Sequence, residues 1–303
     1  MATTNAPSPS GEKPTSISGA LKTLEVLRTR HVRASERVLE NTDFLFENNV
    51  DVQKKLGDDY WAFLEQLAMA AMDLGREGLA DDCILRLEER FPSSPRVQVL
   101  QGMRREAAGK LEEALKIYDL ILEEGEANAG IWKRRAAVYR QLGETQLAVE
   151  DLCEYLDTFY TDVEGWLELA DIYSSVKDHT HALQSLSHAM VLAPQNPFYV
   201  LQFAQAAATN EEFTLALRMY LRTVEMVESD SEDDKFEHDA NGVVRQAWLG
   251  VKTCTTRLLV TNPAAMRNSA RANDVDATTP LTSGELEALD ELASERVAGG
   301  NPR

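Results

Sequence analysis

A repeated spacing restricts this chain more than its composition does. Small residues recur at Ala68, Gly102, Ala136, Ala170 and Ala204, and again at Ala80, Ala114, Ala148, Ala182 and Ala216, both series stepping by 34 residues without slippage. Between the two series each unit carries a break where a turn belongs, at Gly75, Gly109 and Gly143, with Lys177 and Glu211 in place of glycine later. The units therefore begin near Trp61, Pro95, Ala129, Val163 and Pro197, and each holds two helix-length stretches joined by a short turn. Two antiparallel helices approach closely only where Gly or Ala sits at the crossing, and larger residues such as Tyr118, Trp132, Tyr139, Trp166, Tyr173 and Tyr220 fill the space beside it. Pro92 and Pro194 fall where second helices should stop.

This pattern resembles the tetratricopeptide repeat, with its Trp, Leu-Gly, Tyr, Ala, Phe and Pro signature. One unit supplies Trp132, Ala136, Tyr139, Gly143 and Ala148; the next supplies Trp166, Leu169, Ala170, Tyr173, Ala182, Ala189 and Pro194. The expected fold is all-α, a tetratricopeptide-repeat superhelical solenoid of antiparallel helix pairs. An ordinary helical bundle is the weaker alternative, because bundles need no fixed phase.

The regions around the array are expected to divide as follows. Residues 1–15, rich in Ser, Thr and Pro, read as a disordered tail, and residues 16–60 as N-terminal capping helices, about 17–33 and 35–49. Leu21, Leu24, Val38, Leu39, Leu45 and Phe46 form the apolar pattern of the cap, and Arg28, Arg30, Arg33 and Arg37 its polar outer face. Five repeats occupy 61–230. The acids from Glu225 to Asp239 read as an exposed loop, so that 231–260 covers an acidic insertion and a degenerate sixth repeat built on Val243 to Leu259. Residues 261–283 read as linker and 284–303 as a C-terminal helix and tail, the helix resting on Leu286, Leu289 and Leu292.

Charge and chemistry narrow the function. With 31 Lys+Arg against 50 Asp+Glu, the net charge of -19 opposes nucleic-acid binding, which relies on clustered cations. Three scattered cysteines, Cys83, Cys153 and Cys254, form neither a disulfide framework nor a zinc site and suit a reducing compartment; Cys83 and Cys153 are expected to be buried in second helices. His179, His181 and His188 lack a completing Cys or carboxylate for a metal, and no Walker loop, dinucleotide fingerprint or nucleophile elbow is present. The expectation is a protein that is not an enzyme and needs no cofactor. His179 to Asn210 contains no Asp, Glu, Lys or Arg, yet Pro194, Pro197 and its many Gln, Asn and Ser residues deny it a membrane span. A charge-free stretch on the outside of so charged a chain suggests cover by a permanent partner, through positions such as Gln184 and Gln202.

A repeat array binds partners along its concave face, which the first helices line. The places expected there include Glu65, Met69, Met72, Val99, Met103, Arg104, Lys133, Arg140, Leu167, Asp171, Leu201 and Gln205. Of these, Met69, Met72, Val99, Met103, Arg104, Lys133 and Arg140 join Gln184 and Gln202 as candidate partner contacts, the flexible methionines suiting an apolar peptide or helix. The clamp with which chaperone-binding repeats hold a C-terminal carboxylate is disfavoured, since the corresponding places hold Glu65, Met69, Val99, Met103, Lys133 and Ala137, without asparagine.

Further strings resemble one family within the repeat class, that of subunit 2 of the endoplasmic reticulum membrane protein complex: Lys55-Leu56-Gly57-Asp58-Asp59 with Trp61, Arg90-Phe91-Pro92 with Arg96-Val97, Gly102-Met103-Arg104 with Glu106-Ala107, then Tyr118, Ile121, Leu122 and Glu154-Tyr155-Leu156. The likeness extends from about Ser35 to Val260, densest between Lys55 and Leu122; the acidic insertion and the C-terminal part depart from it. The resemblance implies a non-catalytic scaffold on the cytosolic face of the endoplasmic reticulum, peripheral to the membrane. Its partners would be membrane-embedded subunits and a soluble subunit, in a complex that inserts transmembrane segments, including those of tail-anchored proteins. The competing reading is an unrelated tetratricopeptide-repeat adaptor binding a peptide or helix of another complex.

Overall fold

The computed structural model describes residues 14–125, 128–230, 237–261 and 281–298. The tail at 1–13, the acids at 231–236, the linker at 262–280 and the last residues, 299–303, lie outside the described residues. Among those described there is no strand. The helices are α1 (Ile17–Thr29), α2 (Ser35–Glu47), α3 (Val52–Leu56), α4 (Tyr60–Asp73), α5 (Glu77–Arg90), α6 (Pro95–Ala107), α7 (Leu111–Glu124), α8 (Ala129–Leu142), α9 (Thr145–Thr158), α10 (Val163–Ser175), α11 (His179–Leu192), α12 (Pro197–Thr209), α13 (Phe213–Asp230), α14 (Glu237–Thr261) and α15 (Ser283–Ala298), with a 3-10 turn at Gly57–Asp59. The chain divides into two compact units, up to Ala148 and from Val149.

The period is visible in backbone geometry. At the end of each first helix one residue takes positive φ: Gly75, Gly109 and Gly143, then Lys177 (φ 64) and Glu211 (φ 63). The amide of the following residue bonds back to a carbonyl inside the helix, Arg76 to Ala71, Lys110 to Arg105, Glu144 to Tyr139, Asp178 to Tyr173 and Glu212 to Ala207, at 2.8–2.9 Å. This is a Schellman-type ending. The turn therefore persists in the two repeats without glycine, where the surrounding packing holds a side-chain-bearing residue in a conformation it disfavours. The second helix α11 starts with a side-chain cap, the Asp178 carboxylate accepting the His181 amide, whereas α5 and α7 start without one. Pro95 and Pro197 open α6 and α12, where no amide is required.

Both small-residue series lie in the core. Ala68, Ala80, Ala114, Ala136, Ala148, Ala182, Ala204 and Ala216 are fully buried, and Gly102 lies against the Tyr118 ring. Of the large neighbours, Tyr118, Tyr220 and Trp132 are buried, while Tyr139, Trp166 and Tyr173 are only half-buried.

In the first unit α2 packs on both α1 and α4, so the N-terminal hairpin stands to α4 much as one repeat stands to the next. Leu24, Val38, Leu39 and Leu45 are buried there, whereas Phe46 is 47% exposed. The arginines are not simply an outer face. Arg28 is turned inward beside Asp59, at 3.5 Å, and Arg33 grips the Asp73 carboxylate. Ser35 begins α2 but does not cap it; its hydroxyl donates to Asp73 instead.

In the second unit the segment expected as an acidic loop is largely helix, α13 continuing to Asp230 and α14 starting at Glu237. Gly250 of α14 lies against Tyr220 of α13, repeating the Gly-on-Tyr contact of the first unit. The C-terminal helix α15 packs on α14. Leu286 and Ala293 are buried, Leu292 is exposed, and the Thr255 hydroxyl donates to Asp290 at 2.9 Å. Thr282 and Glu285 cap α15 reciprocally, the Glu285 carboxylate accepting the Thr282 amide at 2.8 Å. The helix expected to rest on Leu286, Leu289 and Leu292 thus turns its Leu286 and Ala293 side inward.

Candidate interaction surface

The nominated contacts separate by burial and by partner. On α4, Met69 is 39% exposed and Met72 packs partly against the core. On α6, Val99 also packs partly against the core, and Met103 is 8% exposed. Met103 is therefore a core residue rather than a surface contact, because the crossing of α4 and α6 rotates its side of the helix inward. Arg104 is a strut between α6 and α5, with Nε 2.6 Å from Asp81 and Nη2 3.1 Å from Glu77. That guanidinium lowers the Asp81 pKa from its usual value. Glu65 of α4 is paired with Arg96 of α6 at 2.6 Å, tying two first helices together.

On α8, Lys133 is half-buried and Arg140 exposed. In the second unit Gln184 and Gln202 are exposed, as are Asp171 and Gln205; Leu167 is half-buried and Leu201 is buried. The charge-free stretch forms α11 and α12, and its exposed positions include Thr180, Gln184, Ser187, His188, Val191, Leu192, Phe198, Gln202 and Gln205.

The concavities and titratable groups offer little chemistry. A cavity of about 370 Å³ lies between α2, α3, α4 and α5, with Phe63, Leu64, Leu67 and Cys83 on its floor and Asp51, Asp82 and Arg86 among its lining. Burial pushes the Cys83 thiol up to about 11, so it is held as the unreactive thiol, and Arg86 donates to the Tyr60 hydroxyl at 3.0 Å. Cys254 is buried and raised to about 11 in the same way. Cys153, expected to be buried, is exposed. His181 bonds Asp178 at 2.7 Å and stacks on Tyr173, and His188 stacks on Trp166 with centroids 4.4 Å apart. Among the described residues no group of three or more His, Cys, Asp or Glu could hold a metal ion, and no helix is long and apolar enough to cross a membrane.

Sequence reasoning missed the roles of Arg33 and Arg104 as struts, and it missed the aromatic stacks along α10 and α11. The His188 spacing is visible in the sequence, but its partner Trp166 lies on the preceding helix, outside that spacing.

The repeat geometry matches known proteins. The family described as the EMC2 TPR-like repeat domain matches residues 86–230. The chain is 37% identical over 186 residues to ER membrane protein complex subunit 2-A of Xenopus laevis, covering 61% of this chain and 62% of the frog protein. It is 35% identical over 214 residues to TPR repeat protein oca3 of Schizosaccharomyces pombe, covering 68% of this chain and 70% of that protein. The aligned region thus spans less than two thirds of the frog relative's length. Among solved structures, the C-terminal part of a TPR repeat-containing protein from Cytophaga hutchinsonii superposes with a TM-score of 0.52 over 80% of this chain and 95% of that one, at 15% identity, a likeness of fold alone. With its helix pairs, its phase and its relatives in agreement, the chain belongs to the tetratricopeptide-repeat family of ER membrane protein complex subunit 2.

Proposed function

We propose that this chain is a non-catalytic scaffold subunit of the endoplasmic reticulum membrane protein complex, acting on the cytosolic face. In this reading it binds both membrane-embedded subunits and a soluble subunit, remains peripheral to the bilayer, and supports insertion of transmembrane segments, including those of tail-anchored proteins. The observation that carries the proposal is membership of the subunit 2 family through the repeat array itself, the part of a repeat protein that binds partners. The exposed side chains Met69 and Arg140 on first helices of the first unit, and Gln184 and Gln202 in the second, are the proposed contacts, with Met72, Val99 and Lys133 half-buried beside them.

The test is affinity purification of the full chain in mild detergent from its own cells, followed by identification of the bound proteins. Integral membrane subunits of the complex should be recovered in near-constant ratio to the chain. Their absence would reject the proposal in favour of an adaptor in another assembly.

A further inference from the structure

An aromatic edge in the second unit adjoins the Gln184 and Gln202 contacts proposed above. Tyr160, at the end of α9, is 67% exposed, and its carbonyl accepts the Trp166 indole N–H at 2.9 Å. The Trp166 ring lies on His188 of α11 with planes 17° apart. From His188 the outer side of α11 continues to Val191, 79% exposed, and Leu192, 36% exposed, and the turn at 193–196 leads to Phe198, 46% exposed. Five large apolar or aromatic side chains and one histidine thus follow one another from the end of one helix pair, across the next, to the start of a third. Isolated exposed apolar residues are ordinary, but a connected run of Tyr, Trp and Phe is the composition of an interface centre.

The surrounding charge says what could cover this edge. From Val149 to Leu217 the only lysine or arginine is Lys177, against eleven Asp and Glu. Asp157 and Glu164 are exposed on either side of Tyr160. Such a border repels the anionic surface of a cytosolic leaflet and repels a second copy of a chain of net charge -19. It attracts a protein surface with an apolar centre and lysine or arginine at its rim. We infer that the edge formed by Tyr160, Trp166, His188, Val191, Leu192 and Phe198 docks another protein subunit of the same complex, one that presents an apolar patch flanked by basic side chains. The inference rests on the scaffold reading above and extends the Gln184 and Gln202 contact to an aromatic edge, together with the chemistry of its partner.

The test compares the tagged full-length wild type with Val191→Lys/Phe198→Lys, the milder Val191→Ser/Phe198→Ser, and a Leu120→Lys control on the exposed side of α7. The lysine pair should lower recovery of at least one complex subunit about tenfold or more, the effect of losing a hot-spot contact. The serine pair should lower it less and the control not at all, with unchanged thermal melts for all three. Wild-type recovery in every variant would overturn the docking edge while leaving the scaffold reading intact. Loss of all complex subunits from the wild type itself would reject both. Two further outcomes would also overturn it: wild-type flotation on phosphatidylcholine–phosphatidylserine vesicles that the lysine pair abolishes, or a wild-type dimer in sedimentation that the lysine pair dissociates.

Discussion

Gly102→Ala adds one methyl group where the fold has no room for it. A Cβ at this position would lie 2.4 Å from Cε1, 2.8 Å from Cζ and 3.0 Å from the hydroxyl oxygen of Tyr118, which is fully buried. Ordinary carbon contacts need about 3.5 Å, so the ring must retreat by about 1 Å. The Tyr118 hydroxyl donates to Glu106, whose other carboxylate oxygen faces Arg134 of α8 at 3.4 Å, so the displacement is felt in a third helix. Overpacking of this size costs about 1–3 kcal/mol and a weakened buried hydrogen bond about 1–2 kcal/mol. Replacing glycine inside a helix returns about 1 kcal/mol of helix propensity. The net is a loss of about 2 kcal/mol, or about 6 °C in midpoint. Circular dichroism melts and urea titrations of the full chain measure it. The repeats contain their own control, since Ala68, Ala136 and Ala170 face the phase in which Ile84, Leu152 and Leu186 replace the tyrosine; the fifth repeat does pair Ala204 with Tyr220, but there the ring lies against Gly250 of α14. In a Tyr118→Leu background, Gly102→Ala should therefore be neutral or stabilising, and the double-mutant cycle should give a coupling of about 1–3 kcal/mol. A neutral or stabilising Gly102→Ala in the wild-type background would refute the packing argument.

Two further outcomes follow from the electrostatics. The Arg33 guanidinium, through its hydrogen bonds, holds the Asp73 carboxyl below its usual value, with Ser35 assisting. A depressed folded pKa contributes stability that is present in full above the unfolded value near 4 and is lost as pH falls through the folded value. Asp73→Asn should accordingly flatten the loss of stability on acidification below about pH 4, measured by urea melts in steps of pH, and an unchanged slope would count against the pair. For the thiols, a maleimide at neutral pH should modify Cys153 first, because Cys83 and Cys254 are buried and pushed up to about 11. Full labelling of all three should appear only in denaturant, and equal native labelling rates would contradict the burial.

The legible part of this protein was the part carried by local repetition. A step of 34 between small residues marked the helix crossings, and the second helices begin at Glu77, Leu111, Thr145, His179 and Phe213 in the same step. Proline and glycine positions marked the breaks, because their backbone preferences act within a few residues. The candidate site was less legible. Met69 and Met103 occupy equivalent places one period apart, yet one is exposed and the other buried. A rotation of a few tens of degrees at a helix crossing decides between those fates, and periodicity does not resolve it. Arg104 looked available to a partner, but Glu77 and Asp81 on the neighbouring helix claim it.

The sequence by itself determined the helical class, the repeat phase, the turn positions and the family, since each is written in residue types at fixed short spacings. Tertiary structure alone decided the pairing of α15 with α14 across an intervening segment, the gathering of Tyr160, Trp166 and His188 into one edge, and the inward turn of Arg28 and Met103. The physical reason is the same in each case. Spacing along one helix tells which residues share a face, but only the neighbouring helix, brought in from elsewhere in the chain, tells whether that face meets core, counter-charge or solvent.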